Sequence, residues 1–269
     1  MELFYITNNI DEAKIVDCLD INWVFIDLEY IGKKKRQSGR DTVLSNHSIY
    51  DIDTIKNVTQ YSKILVRSNP IGHWSRSEFR EINRRHQSID MVMLPYFKSS
   101  HEVMNFIELL DTENIKPALL LETMSAVSEL EEILDLYPFE YIHIGLNDLH
   151  IERLTNSMFE PYIDGLLCSI TAKLRNRGQK FGIGGIGKIG DALYPEPERI
   201  LIEQYRLNSS GIILSRSFKG KFELASRDTF EVNLSQAISD LRKHEKLVQQ
   251  LNKAEMMRNY EIMKAQIGK

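Results

Sequence analysis

Short apolar runs rich in β-branched and aromatic residues recur along the chain at residues 3–6, 23–27, 64–67, 91–94, 118–121, 141–144, 180–183 and 211–214. Each has the length of a strand, and strands buried on both faces read as continuous apolar runs. Between most of them, at 75–86, 100–110, 126–136, 159–177 and 197–205, apolar positions fall three and four residues apart, the period of an amphipathic helix. Strand and helix in alternation build βαβ units around a parallel sheet. Eight repeats predict an α/β chain closed into a (β/α)8 TIM barrel.

Two stretches break the rhythm. From Gly32 to Asn46 the chain is polar and carries Lys33-Lys34-Lys35-Arg36, which reads as a solvated loop or, alternatively, as a lid or anion-binding loop. Beyond Phe230, the stripe Leu234, Ile238, Leu241, Val248 and Leu251 predicts a long C-terminal helix with a charged outer face. It is expected either to close the barrel or to cross to a neighbouring subunit. The chain therefore divides into a barrel catalytic domain, 1–230, and a helical extension, 231–269.

Composition narrows the function classes. The 269 residues include 34 Lys and Arg against 38 Asp and Glu, a net charge of −4, which argues against nucleic acid as a partner. No run of about 18 apolar residues predicts a membrane span, and the first residues read as a strand rather than a signal peptide. Cys18 and Cys168 both fall in helix-like segments and form no CxxC pair. They are expected to be buried thiols in a reducing, cytoplasmic setting.

Barrels place chemistry at the C-terminal ends of their strands. Those positions hold Asp27 and Glu29 after the second run, Arg67 and Asn69 after the third, Glu122 after the fifth, and Gly145, Asn147 and Asp148 after the sixth. The seventh is followed by Gly184–Gly187 and the eighth by Ser215 and Arg216. Glu122 and Asp148 follow strongly apolar runs, where a carboxylate must be paired or hold a cation. Two converging carboxylates suit Mg²⁺ or Mn²⁺, which keep positions open for substrate oxygens. Pairing to Arg67 is the competing explanation. Arg67 itself offers a planar fork for a carboxylate, or else an ion pair with Glu29.

Asp27-Leu28-Glu29, Val66-Arg67-Ser68-Asn69-Pro70, Leu120-Leu121-Glu122-Thr123 and Ile144-Gly145-Leu146-Asn147-Asp148-Leu149 together resemble the HpcH/HpaI aldolase and citrate lyase β-subunit family. The resemblance spans residues 3–218, with the four motifs in the family's order. It implies a (β/α)8 barrel that binds a 2-oxo acid through a divalent metal, Mg²⁺ or Mn²⁺, and stabilises its enolate. It also implies that Glu122 and Asp148 are the metal ligands and that Arg67 holds a carboxylate or enolate oxygen. Backbone amides around Gly145, Leu146, Asn147 and Asp148 would cradle the substrate carboxylate, with Asn69 as a further contact. Glu29 and Asp27 would orient metal-bound water or Arg67. A homo-oligomer, trimer or hexamer, is implied as well. Aldolases of this family carry His directly after the second-strand acid; here Tyr30 stands there. His47, first, and His150 are the replacement candidates for proton transfer.

Gly182-Ile183-Gly184-Gly185-Ile186-Gly187-Lys188 satisfies G-x-G-x-x-G but lies late in the chain, and Ile189 replaces the Ser or Thr of a P-loop. On a barrel it reads as a tight, closely packed turn. The alternative is an anion site completed by Lys188 or Arg216 for a phosphorylated or acidic substrate. His73-Trp74 is either a binding corner or packing under the next helix, and His143 is expected to be a satisfied core residue. The expected function is thus a cytoplasmic, divalent-metal-dependent carbon–carbon lyase of aldolase type, acting on a 2-oxo acid through an enolate. The alternatives are another metal–enolate reaction (thioester hydrolysis or phosphoenolpyruvate chemistry) or a non-catalytic ligand-binding or assembly protein on the same barrel.

Overall fold

The computed structural model describes residues 1–33, 46–220 and 226–267. Eight parallel strands close into a barrel in sequence order: β1 Glu2–Ile6, β2 Trp23–Asp27, β3 Lys63–Arg67, β4 Met91–Leu94, β5 Lys116–Leu121, β6 Tyr141–Ile144, β7 Phe181–Ile186 and β8 Gly211–Leu214. Around it run α1 Ile10–Asp17, α2 Asp51–Lys56, α3 Ser75–Asn83, α4 Ser100–Leu109, α5 Met124–Ser128, α6 Leu130–Leu136, α7 Leu146–Arg153, α8 Leu166–Asn176, α9 Pro197–Arg206 and α10 Arg216–Lys219. Two further helices, α11 Arg227–Val248 and α12 Lys253–Ile267, complete the described chain.

The alternation of side chains along each strand sorts the apolar residues into two cores. Phe4, Trp23, Phe25, Leu65, Met91, Met93, Ala118, Leu120 and Tyr141 point inward and fill the barrel. Leu3, Val24, Ile26, Ile64, Val66, Leu119 and Ile142 point outward and meet the helices. Because the strand period is two, the inward series continues from Phe25 to Asp27, from Leu65 to Arg67 and from Leu120 to Glu122. The same geometry that fills the barrel floor with hydrocarbon therefore crowns its C-terminal mouth with charge.

Several boundaries differ from the sequence expectation. The 159–177 segment is interrupted: a 3-10 turn at Glu160–Tyr162 is followed by Gly165 at φ +91°, which starts α8 afresh. Five of the seven residues of the glycine motif, Gly182–Ile186, lie inside β7, whose pairing to β8 shifts register between Gly182 and Gly185. The expected long C-terminal helix is two helices, and α11 starts at Arg227, before the expected boundary at 230. Its buried face, including Phe230, Leu234, Ile238 and Leu241, belongs to the same core as the barrel's outer face. Arg242 donates to the Met1 carbonyl at 2.8 Å and the Asp20 carbonyl at 3.0 Å, tying α11 to the start of β1 and the end of α1.

The two cysteines are exposed, not buried. Cys18 follows the last residue of α1, and Cys168 lies on the outer side of α8, whose inner side is Leu167, Ile170, Thr171 and Leu174. Among the described residues no helix is long and apolar enough to cross a membrane.

Candidate active site

Asp27 and Arg67 end β2 and β3 and are paired in the sheet register, so their side chains emerge side by side. Arg67 grips Asp27 in a fork: Nε donates to Oδ1 at 2.8 Å and Nη2 to Oδ2 at 2.7 Å. The guanidinium lies 5.4 Å over the Phe25 ring, one inward step below. Glu29 Oε2 is 3.4 Å from Arg67 Nε. Burial would raise the Asp27 carboxyl, but Arg67 and then Lys33 hold it well below the usual carboxylate range. Burial likewise opposes the charge on Arg67, yet Asp27, Glu29 and more weakly Glu122 keep it firmly protonated. Arg67 is thus both an ion-pair partner of the second-strand acids and the permanent cation of the mouth.

Lys33 belongs to this cluster. It is only 7% exposed, with Nζ 3.1 Å from Asp27 Oδ2 and 3.5 Å from Glu29 Oε2. The start of the basic run is therefore buried, whereas residues 34–45 lie outside the described residues. Sequence reading missed Lys33 because a run of four cations reads as solvated.

Glu122 is 4% exposed and Asp148 8%. The Glu122 carboxylate is fixed on one side by the Tyr96 backbone N–H, which donates to Oε1 at 2.9 Å. Tyr96 holds φ at +50°, an uncommon conformation for a tyrosine that aims this N–H. On the other side is Gly145, where an added Cβ would sit 2.8 Å from Glu122 Oε2 and from its Cβ. Only glycine leaves that space open. Gly145 precedes α7, whose first turn holds Leu146, Asn147 and Asp148 and has no side-chain cap at its N-terminus. Those amides and the helix dipole suit an anion.

Among the described residues no group of three or more His, Cys, Asp or Glu is arranged to hold a metal. Two buried carboxylates with a glycine-kept space beside one of them are the donor set of Mg²⁺ or Mn²⁺, which bind few protein ligands and keep the rest for water and substrate. The residues fit such an ion.

The remaining candidates divide. His47 lies beside the cluster, but its Nδ1 accepts the Asp27 backbone N–H at 2.9 Å. Its lone pair is spent there, so a neutral ring carries its proton on Nε2 and is a donor, not the expected base. Burial lowers its pKa to about 4, with Asp27 opposing. His150 engages Thr155 Oγ1 through Nδ1 at 2.7 Å. Tyr30, in the family's histidine position, is 64% exposed. Asn69 is committed to structure: Oδ1 accepts the Tyr30 and Ile31 N–H groups at 3.0 Å, and Nδ2 donates to Glu78. It clamps the segment after β2 rather than presenting an amide to substrate.

The glycine motif is not the tight turn expected: Gly182–Ile186 belong to the closely packed strand β7, and only Gly187 and Lys188 lie beyond it. A Cβ on Gly184 would meet Leu146 Cδ1 at 2.7 Å, and the Lys188 N–H is taken by Asp191 and Ser217 at 3.0 Å each. Arg216 stands exposed at the first turn after β8. Trp74 folds back to donate from Nε1 to the Pro70 carbonyl at 2.9 Å. His143 is buried under the site; Nε2 donates to the Gly184 carbonyl at 2.8 Å and Nδ1 faces the Tyr141 hydroxyl at 3.2 Å.

Solved structures share this architecture. An HpcH/HpaI aldolase/citrate lyase family protein from Burkholderia cenocepacia J2315 superposes with a TM-score of 0.56 at 14% identity, over 90% of this chain and 94% of that one. An HpcH/HpaI aldolase from Desulfitobacterium hafniense DCB-2 gives 0.55 at 11% identity, over 94% of each chain. The chain has the fold of the HpcH/HpaI aldolase/citrate lyase barrels. RipC from Yersinia pestis is similar too, with a TM-score of 0.57 at 10% identity over 95% of this chain and 98% of that one. No protein-family model and no curated relative matches the sequence. In this barrel Asp27 and Arg67 end β2 and β3, Glu122 directly follows β5, and Asp148 lies in the first turn of α7.

Proposed function

We propose that the chain is a divalent-metal-dependent carbon–carbon lyase of aldolase type, acting on a 2-oxo acid through its enolate. The observation that carries this reading is two buried carboxylates, Glu122 just after β5 and Asp148 in the first turn of α7, at the same end of the barrel as the permanently charged Arg67 that closes β3. Glu122 and Asp148 would hold Mg²⁺ or Mn²⁺. The bound ion would lend positive charge to the keto and carboxylate oxygens of the substrate.

The chain's own residues supply the rest. Breaking a carbon–carbon bond beside a ketone leaves the electron pair on an enolate, whose charge gathers on oxygen. Arg67 gives two of its N–H groups to Asp27 and retains Nη1 for that oxygen. A preorganised donor of this kind is worth about 3 kcal/mol. The amides opening α7 would receive the substrate carboxylate. Asp27 and Glu29 keep the guanidinium charged and aimed, and His47 contributes a neutral N–H donor at the rim.

The test is pyruvate release from 4-hydroxy-2-oxo acids in the presence of Mn²⁺. Metal-dependent release that Glu122→Gln abolishes is the expected result. Release that is indifferent to Mn²⁺ or to Glu122 would contradict the proposal. One observation favours a second reading, a metal–enolate reaction that needs no side-chain base, such as thioester hydrolysis or phosphoenolpyruvate chemistry. His47 spends its Nδ1 lone pair on the Asp27 amide, and Tyr30 points away to solvent. Product analysis separates the two.

A further inference from the structure

Three glycines surround one buried pair of side chains. Tyr141 and His143 face into the barrel from β6, beside Phe4, and neither has a part in the chemistry above. Gly182 on β7 and Gly211 on β8 are paired in register, and a Cβ on either would collide with the Tyr141 hydroxyl. The room they leave lets that hydroxyl lie 3.2 Å from His143 Nδ1. A carbonyl only accepts, so the 2.8 Å contact with the Gly184 carbonyl puts the histidine's proton on Nε2 and leaves Nδ1 to accept from Tyr141. Gly184 is where β7 departs from regular pairing. From Gly182 to Gly185 the strand runs against only Gly211 to Ile213 of β8, a bulge of one extra residue. Gly184 has φ +50°, which favours glycine, and a Cβ there would meet Leu146 Cδ1 at 2.7 Å and Cγ at 3.0 Å. Leu146 is buried and opens α7, between Gly145, which leaves space beside Glu122, and Asn147 and Asp148. His143, the bulge and Leu146 thus form one packed series from the barrel interior to the turn at its mouth.

We propose that His143 is a positioning residue: by holding the Gly184 carbonyl it fixes the β7 bulge as the seat of Leu146, and so sets the place of the first turn of α7. Bulges beside active sites re-aim what packs on them. Losing the donor costs a buried hydrogen bond and lets the bulge relax, which releases Leu146 and the turn it anchors. The glycine motif then has a purpose that is neither a phosphate loop nor a turn: its bare backbone makes room for Tyr141 and for Leu146. The consequence for metal and substrate rests on the reading of Asp148 as a ligand and of the α7 amides as the carboxylate cradle; the seating of α7 does not.

The test is amide hydrogen exchange of the intact protein without added metal, read by mass spectrometry in the peptides that cover α7. His143→Leu is expected to speed exchange there about tenfold, whereas His143→Gln, which keeps an N–H for the Gly184 carbonyl, stays within about threefold of the parent. Across the barrel, α1 and α2 are expected to keep the parent's exchange. Parent-like exchange of α7 in His143→Leu, or acceleration spread equally over α1, α2 and α7, overturns the proposal. If His143→Leu does not fold, His143→Asn decides. Its side chain matches the Nδ1 position beside Tyr141 but is too short for Gly184, so the same local acceleration is expected and parent-like exchange overturns the proposal. Calorimetric titration of Mn²⁺ alone and steady-state kinetics read the consequence. In His143→Leu, Mn²⁺ affinity is expected to fall about tenfold and KM to rise more than kcat falls, with His143→Gln restoring both. A loosened α7 with parent-like Mn²⁺ affinity would leave the seat standing and overturn Asp148 as a ligand, which separates the two failures.

Discussion

Glu122 is held between a backbone amide and a missing side chain. The Tyr96 N–H fixes one oxygen and the bare Gly145 makes room for the other. Gly145→Ala is therefore expected to displace the carboxylate and weaken Mn²⁺ binding about tenfold, ~1.4 kcal/mol. Titration calorimetry checks this, with thermal unfolding showing that the barrel persists; parent-like affinity would mean that Glu122 is not a ligand. Asp27, Arg67, Glu122 and Asp148 were legible in the sequence because each follows an apolar run on a strand, where a charge has to be explained. Tyr96 was not, because its contribution is a main-chain donor set by φ. Nor was Lys33, whose partners Glu29 and Asp27 lie four and six residues back at the end of β2 rather than in the run beside it. His47 was found by type and place, but its hydrogen bond to Asp27 makes it a donor where a base was expected.

Strand identity was legible at the scale of elements because buried parallel strands advertise themselves as apolar runs between helical stretches. The ends were less so. β5 begins at Lys116 and β7 continues through Gly184 and Gly185, since ladder pairing rather than side-chain propensity decides where a strand stops. The break before α8 rests on Gly165, whose positive φ a periodicity count does not register. The two-fold choice for the C-terminal stripe resolves onto the chain's own barrel. Leu241 is fully buried on α11, beneath the anchor that Arg242 makes to β1. Leu241→Ala is expected to cost about 2–5 kcal/mol in urea unfolding while leaving Mn²⁺ affinity unchanged. A cost below ~1 kcal/mol would mean that α11 is an accessory rather than part of the core.

For the whole molecule, the charges buried in the barrel predict how stability depends on pH. Burial pushes the His143 ring down to about 4, with the Gly184 carbonyl opposing and Arg67 assisting, and burial likewise brings His47 to about 4. An unfolded histidine titrates near 6.5, so on acidification the unfolded chain takes up these protons first. The stability contributed by the neutral rings is full above pH ~6.5 and is lost as pH falls toward 4, with a slope approaching ~1.4 kcal/mol per pH unit for each. Asp27 acts in a lower window. Its carboxyl is depressed by Arg67 and Lys33, so its contribution is present above the unfolded value near 3.9 and is lost below it. Urea midpoints measured from pH 7.5 to 4.5 check the histidine window. His143→Gln, which keeps an amide on the Gly184 carbonyl, is expected to flatten the decline; an undiminished slope would assign it elsewhere.

The central claim is that Glu122, with Asp148 and Arg67, supports enolate chemistry on a 2-oxo acid. Proton NMR of pyruvate and related 2-oxo acids in D₂O with Mn²⁺ at trace level or Mg²⁺ tests it most directly. The account predicts exchange of the protons beside the keto group that requires the metal and disappears in Glu122→Gln. Exchange that persists in Glu122→Gln, or a parent protein that binds no divalent ion, would contradict it.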